Sequence, residues 1–194
     1  MKLDEPVERL LQLMSSVDAR GVRPEDVAAM RDVERQLVEP TALVEGVSAE
    51  DVVVGRIPMR LYRPASVGED PLPLHVHFHG GGFVAGSVFS GGQDERLSER
   101  ALAAGCAVAS VEYRLAPEHR FPAAVEDSFA ALVGLAKDAS ALGVDPDRIT
   151  VGGGSAGGNL AFVMALMCRD RGGPPLRLQL AEVAVTDMTK CSSA

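Results

Sequence analysis

Apolar residues recur at two different periods along this 194-residue chain, and the change of period divides it. Near the amino terminus Val7, Leu10, Leu11 and Met14 follow an i, i+3, i+4, i+7 spacing, which lays them along one face of a helix. Pro24-Glu25-Asp26 opens a second helix carrying Val27, Met30, Val33 and Leu37, since proline's fixed φ suits the first helical position. Such a stripe predicts packing on the chain's own domain, with a mobile lid over a pocket as the alternative. Acidic residues among the apolar ones argue against a membrane-touching face. The chain is therefore divided at about residue 45, into a helical segment 1–45 and a unit 46–194.

Beyond that point the period shortens. Val52–Val54 and Met59–Tyr62 flank Gly55-Arg56-Ile57-Pro58, a pattern that predicts a hairpin, and Ala65–Pro73 reads as a surface loop. From Leu74 onward strand and helix patterns alternate. The expected strands are Leu74–His79, Cys106–Glu112, Arg148–Gly152 and Leu176–Val185, and the expected helices are Gln93–Ala104, Ala123–Lys137 and Ser155–Arg171. Alternation of this kind implies right-handed crossovers and a mostly parallel sheet with helices on both faces. No internal repeat or low-complexity segment interrupts it.

Composition narrows the partners. A net charge of −8 argues against nucleic acid and anionic membranes, and no run approaches the ~18 apolar residues of a membrane span. The amino terminus has no apolar stretch behind its positive charge, so no secretory signal is expected. Cys106, Cys168 and Cys191 are odd in number and form no C-x-x-C pair, which predicts reduced thiols in a cytoplasmic protein.

Two glycine-rich motifs carry the chemistry. Gly153-Gly154-Ser155-Ala156-Gly157 is a G-x-S-x-G turn between an expected strand and an expected helix. That context strains the serine, projects its Oγ, and places it at a helix amino terminus with free N–H groups. His79-Gly80-Gly81-Gly82 ends another strand, where side-chain-free residues let main-chain N–H groups approach a substrate oxygen. A lone G-x-S-x-G is a weak signal; the two together, in these contexts, are a strong one.

His79-Gly80-Gly81-Gly82-Phe83, Tyr113-Arg114-Leu115-Ala116-Pro117-Glu118-His119, Phe121-Pro122-Ala123-Ala124, Asp145-Pro146-Asp147-Arg148-Ile149 and Ser155-Ala156-Gly157-Gly158-Asn159-Leu160 together resemble the hormone-sensitive-lipase-like branch of the α/β-hydrolase fold. The likeness runs from about Val47 to Thr186, and the segment 1–45 resembles that branch's helical cap. The resemblance implies an α/β-hydrolase fold whose catalytic unit, 46–194, is partial and stops after the strand near 176–185. It implies a carboxylesterase acting on small-molecule esters without metal or organic cofactor. Ser155 would be the nucleophile and Gly81, Gly82 and Ala156 the oxyanion-hole donors, with His79 and Gly80 supporting the oxyanion loop. One motif departs: the family usually has Asp directly before the serine, where this chain has Gly154.

The triad order in these enzymes is serine, then acid, then histidine. All four histidines here, His75, His77, His79 and His119, precede Ser155, so the acid and base of the triad are expected to be missing from this chain. His79 belongs to the oxyanion loop, and His119 is expected in a structural turn where Glu118 and Arg120 form a local ion network. Asp187 reads as a strand-end carboxylate, because the resemblance puts the acid one strand later. The alternating His75, His77 and His79 share a strand face, yet without a further ligand they do not predict zinc. Two rivals stand beside the esterase: a ligand-binding protein on the same scaffold, as in gibberellin-receptor-like members, and an incomplete interaction module. An unpaired apolar edge at the last strand is expected to favour self-association.

Overall fold

In this computed structural model, residues 24–37, 41–65 and 70–187 are described, together with residues 5 and 8. The expected first helix through Val7, Leu10, Leu11 and Met14 lies outside them. The order of elements is α1 (Pro24–Leu37), β1 (Val47–Val54), β2 (Ile57–Pro64), β3 (Leu72–Phe78), α2 (Gln93–Ala104), β4 (Ala107–Val111), α3 (Ala123–Lys137), β5 (Val144–Gly154), α4 (Ala156–Arg171) and β6 (Leu176–Glu182).

The six strands form one sheet in the order β1-β2-β4-β3-β5-β6. β1 and β2 pair antiparallel through a two-residue turn in which Gly55 takes φ +63°, and β2 pairs antiparallel with β4. β4, β3, β5 and β6 run parallel, and in chain order β3, β4, β5 and β6 are each joined to the next by a helix that crosses over the sheet. The sheet is thus mixed and mostly parallel, as the alternation of strand and helix predicts.

Alternation along β3 sets up two layers, because successive side chains point to opposite faces. Leu74, Val76 and Phe78 enter the main core with Ala107, Ala109 and Val111 of β4 and Ile149 and Val151 of β5. Leu132 and Leu135 of α3 and Leu160 and Met164 of α4 close that face. On the opposite face Leu97 and Ala101 of α2 pack with Tyr62 and Val108. The α2 helix ends at Gly105, φ +57°, where the N–H groups of Gly105 and Cys106 turn back to the Ala101 carbonyl and stop the helix.

Several boundaries differ from the sequence reading. The hairpin strands extend further, β5 begins at Val144, β3 begins inside the expected loop at Leu72, and β6 ends at Glu182 instead of Val185. The extension of β5 has a local cause: its leading turn, where Arg148 pairs with Asp145 and also donates to the Pro71 carbonyl at 2.6 Å, ties the strand start to β3. β6 is an edge of the described sheet, with Leu178 61% exposed.

Candidate active site

Ser155 sits between the end of β5 and the start of α4 with φ +54° and ψ −116°. For a residue with a Cβ this is a strained conformation, of the kind that persists where surroundings over-determine it. The surroundings here are specific. The Ser155 N–H donates to the Glu182 carbonyl at 2.9 Å, and the Ser155 carbonyl accepts from the Asn159 N–H at 3.0 Å. The Asn159 side chain in turn donates to the Val185 carbonyl at 2.7 Å. Glycine at 153 and 157 is obligatory for packing, since a Cβ at either would collide with the Phe78 carbonyl at the end of β3.

The same closeness brings the oxyanion-loop motif to the serine. A Cβ built on Gly80 would lie 3.1 Å from the Gly154 carbonyl oxygen and 3.7 Å from the Ser155 Cβ. Gly81 and Gly82 follow, both exposed, at φ +113° and +61°. Their N–H groups have no acceptor among the described residues. Ala156 opens α4, where a helix leaves its own first N–H groups unpaired. The structure thus brings Gly80 against Ser155 at the end of the parallel strands, with Gly81 and Gly82 next along the loop and Ala156 at the helix start.

His79 is buried and shapes the loop from below. Its Nδ1 lies 2.7 Å from the Gly80 carbonyl, so Nδ1 carries the proton, and its buried Nε2 has no partner among the described residues. Burial lowers its pKa, opposed by the Gly80 hydrogen bond and the charges of Glu112 and Glu34. The His79 ring stacks on Tyr113 at 4.1 Å, and the Tyr113 hydroxyl donates to the His79 carbonyl at 2.7 Å. Glu112 anchors the far end of the loop, accepting from the Val88 N–H at 2.6 Å and the Ser87 hydroxyl at 3.2 Å.

Residues of the Tyr113–His119 motif are tied into the fold by hydrogen bonds and ion pairs. Arg114 grips buried Asp127 at 2.7 and 2.8 Å through its side chain and at 3.1 Å through its N–H. Burial pushes the Asp127 carboxyl up, but those bonds and the Arg114 charge hold it below the usual carboxylate range. The local ion network expected around His119 is corrected: Glu118 pairs with Arg31 of α1, and the His119 N–H closes a turn on the Leu115 carbonyl at 2.8 Å. Asp187 is exposed and lies beyond β6, which stops at Glu182.

The remaining two histidines form a polar layer beneath α2. Arg100 donates to His75 Nε2 at 3.4 Å, and His75 Nδ1 lies 2.8 Å from the Thr150 hydroxyl. Arg100 also pairs with Glu182 at 2.7 Å, whose main chain holds Ser155. Among the described residues no group of three or more His, Cys, Asp or Glu could hold a metal ion. Sequence reasoning missed Arg31, Arg100 and Glu182. Their partners lie between 25 and 87 positions away, beyond the reach of any local pattern.

Comparison with known proteins is consistent with this geometry. The sequence pattern of the alpha/beta hydrolase fold matches residues 75–194. Carboxylesterase NlhH of Mycobacterium tuberculosis is 46% identical over 151 residues, covering 75% of this chain and 46% of its own length. Esterase LipI of the same organism is 40% identical over 176 residues, covering 88% of this chain and 54% of its own. The crystal structure of esterase LipW from Mycobacterium marinum superposes with a TM-score of 0.76 at 35% identity, over 94% of this chain and 60% of that one. The chain spans about half the length of the curated relatives it matches. No helix among the described residues is long and apolar enough to cross a membrane.

Proposed function

The chain belongs to the α/β-hydrolase fold, in its hormone-sensitive-lipase-like, carboxylesterase-type family, and on that premise we propose that it hydrolyses carboxylic esters through Ser155. The observation that carries this is the meeting of a strained, half-buried serine with the Gly80–Gly82 loop, in which the Gly81 and Gly82 amides have no acceptor among the described residues. In the proposed reaction Ser155 Oγ attacks the ester carbonyl carbon and gives its proton to a base. The carbonyl electron pair moves to oxygen, where the N–H groups of Gly81, Gly82 and Ala156 receive it. Collapse breaks the bond to the alcohol, which leaves with the proton, and water repeats the sequence on the acyl-serine. Losing one such donor costs about 2.7–4 kcal/mol of barrier in a serine hydrolase.

The acid and base of the triad are not assigned to any of these 194 residues. His75, His77 and His79 are buried, and His119 belongs to the turn after Leu115. In this reading segment 1–45 is the cap over a hydrolase unit 46–194, and the setting is cytosolic.

The test is labelling by a p-nitrophenyl alkylphosphonate, read by mass spectrometry. A single adduct at Ser155, abolished in Ser155→Ala, supports the reading. Saturable binding of a carboxylate or lactone, unlabelled and unchanged by Ser155→Ala, would establish a ligand-binding protein instead.

A further inference from the structure

Arg31 of α1 spends its guanidinium on two loops far from it in sequence. Nε donates to the Val84 carbonyl at 2.7 Å, and Nη2 donates to the Ala116 carbonyl at 2.8 Å. Nη1 and Nη2 also form a two-pronged pair with the Glu118 carboxylate at 2.8 and 3.0 Å. One turn further along the helix, Glu34 accepts the Gly86 N–H at 3.2 Å. The two loops are joined directly as well, the Ala116 N–H donating to the Phe83 carbonyl at 2.9 Å.

These contacts fall on one turn. The N–H groups of Val84 and Ala85 both donate to the Gly81 carbonyl, at 3.1 and 2.9 Å, so the backbone from Gly81 to Ala85 moves as a unit. At its far end Gly86 takes φ +88° with no room for a Cβ against His79 and the Gly80 carbonyl. A shift at Val84 or Gly86 is therefore passed to the peptide planes that carry the Gly81 and Gly82 N–H groups. Those planes have no other fastening through their own N–H groups among the described residues.

We propose that Arg31, seconded by Glu34, is a positioning residue for the oxyanion loop: by bridging Val84, Ala116 and Glu118 it fixes the direction in which Gly81 and Gly82 present their N–H groups beside Ser155. The inference rests on the reading of Ser155 and these amides given above. Helix α1 then acts on catalysis through the loop, without contact to the reacting atoms. An ion pair to an exposed carboxylate contributes little to stability on its own, so the part Arg31 plays lies in geometry. Lysine cannot replace it, because a single ammonium cannot serve three acceptors spread around a planar fork.

The experiment compares wild type with Arg31→Ala, Arg31→Lys and Ser155→Ala in the full chain. It reads the rate of Ser155 labelling by a p-nitrophenyl alkylphosphonate and amide exchange along the backbone. Arg31→Ala is expected to slow labelling about 10- to 100-fold, the scale of a misplacement near 1 Å. Millimolar guanidinium ion should recover part of that loss, and Arg31→Lys should keep most of it. Exchange at Ala85 and Gly86 should rise while β3 and β5 stay protected. Labelling of Arg31→Ala at the wild-type rate overturns the inference alone, and so does a rise in exchange throughout the sheet. A wild type that is not labelled, or labelling that survives Ser155→Ala, overturns the reading of the site and this inference with it.

Discussion

The two faces of β3 differ in kind. Toward α3 and α4, Leu74, Val76 and Phe78 are fully buried among aliphatic side chains. Toward α2, His75 and His77 are buried as well, but among polar groups: Thr150, Arg100 and the hydroxyl of Ser110. On the first face burial itself stabilises, at about 25 cal/mol per Å² of apolar surface. On the second, burial costs free energy wherever a polar atom lacks a partner, and both ring nitrogens of His77 and the Ser110 hydroxyl have none among the described residues. One strand thus carries the core on one side and a poorly satisfied layer on the other, and both layers meet at Ser155. Phe78 closes the turn from the apolar side, while Glu182, held by Arg100, accepts the Ser155 N–H from the polar side.

The comparison breaks most sharply at Phe78. Truncation by Phe78→Ala should destabilise by about 3–5 kcal/mol, the usual loss for a fully buried aromatic ring. Urea unfolding followed by circular dichroism measures it. A loss below about 1 kcal/mol would mean that the apolar face is not the main source of stability.

The polar face should reveal itself through pH. Burial first, and the nearby Arg100 charge second, lower the His75 pKa from the ordinary 6.5 to about 4, and burial pushes His77 well below its usual value. A histidine whose folded pKa is depressed binds its proton more readily when unfolded. Its contribution is therefore intact above about pH 6.5 and is lost progressively as pH falls toward 4. For His75 alone the loss on reaching pH 4 is about 3 kcal/mol, as an order of magnitude. Asp127, whose carboxyl is held low, keeps its contribution until pH falls into the ordinary carboxylate range and loses it from there downward, so its window follows that of His75 at the acid end. Melting curves between pH 7 and 4 should show the decline, and His75→Gln should flatten it. An unchanged pH profile in that variant would remove His75 from the account.

A smaller effect separates satisfied from unsatisfied polar atoms on that same face. Replacing His77 by Met removes two unpartnered nitrogens and keeps the volume apolar, so stability should rise by about 1 kcal/mol. A fall of the same size would mean that His77 is held by a bound water.

How far the sequence could be read follows the same division. The period-two pattern of β3 and the glycine-rich motifs located the strand, the turn and the serine, because each is a local consequence of side-chain size and φ. His75 and His77 do share one buried face of β3, whereas His79 lies past the strand's end at Phe78 and stacks on Tyr113. What that face does was not legible, since its meaning comes from Arg100 and Thr150 on other elements. Glu118 shows the same limit: Arg120 stands two positions away, yet the partner is Arg31, brought in from α1. Charged side chains are long enough to choose partners by topology, and topology is what a linear pattern expresses least.

Three consecutive glycines at the end of β5 carry the contrast to its finest scale. A Cβ at Gly152 would press on His75 Cε1 at 2.7 Å, on the polar side, and one at Gly153 would collide with the Phe78 carbonyl on the apolar side. A Cβ at Gly154 would meet nothing nearer than the Glu182 carbonyl at 4.0 Å, and Gly154 is not among the residues with positive φ. The first two glycines are therefore required by packing, whereas the third is not. Gly154→Ala should stabilise by about 0.4–1 kcal/mol, by narrowing the unfolded ensemble without straining the folded one. Chemical denaturation resolves that gain, and phosphonate labelling should confirm that Ser155 keeps its reactivity. Destabilisation would show that the turn needs glycine at all three positions, and that the two faces of the sheet leave no slack where they converge on the serine.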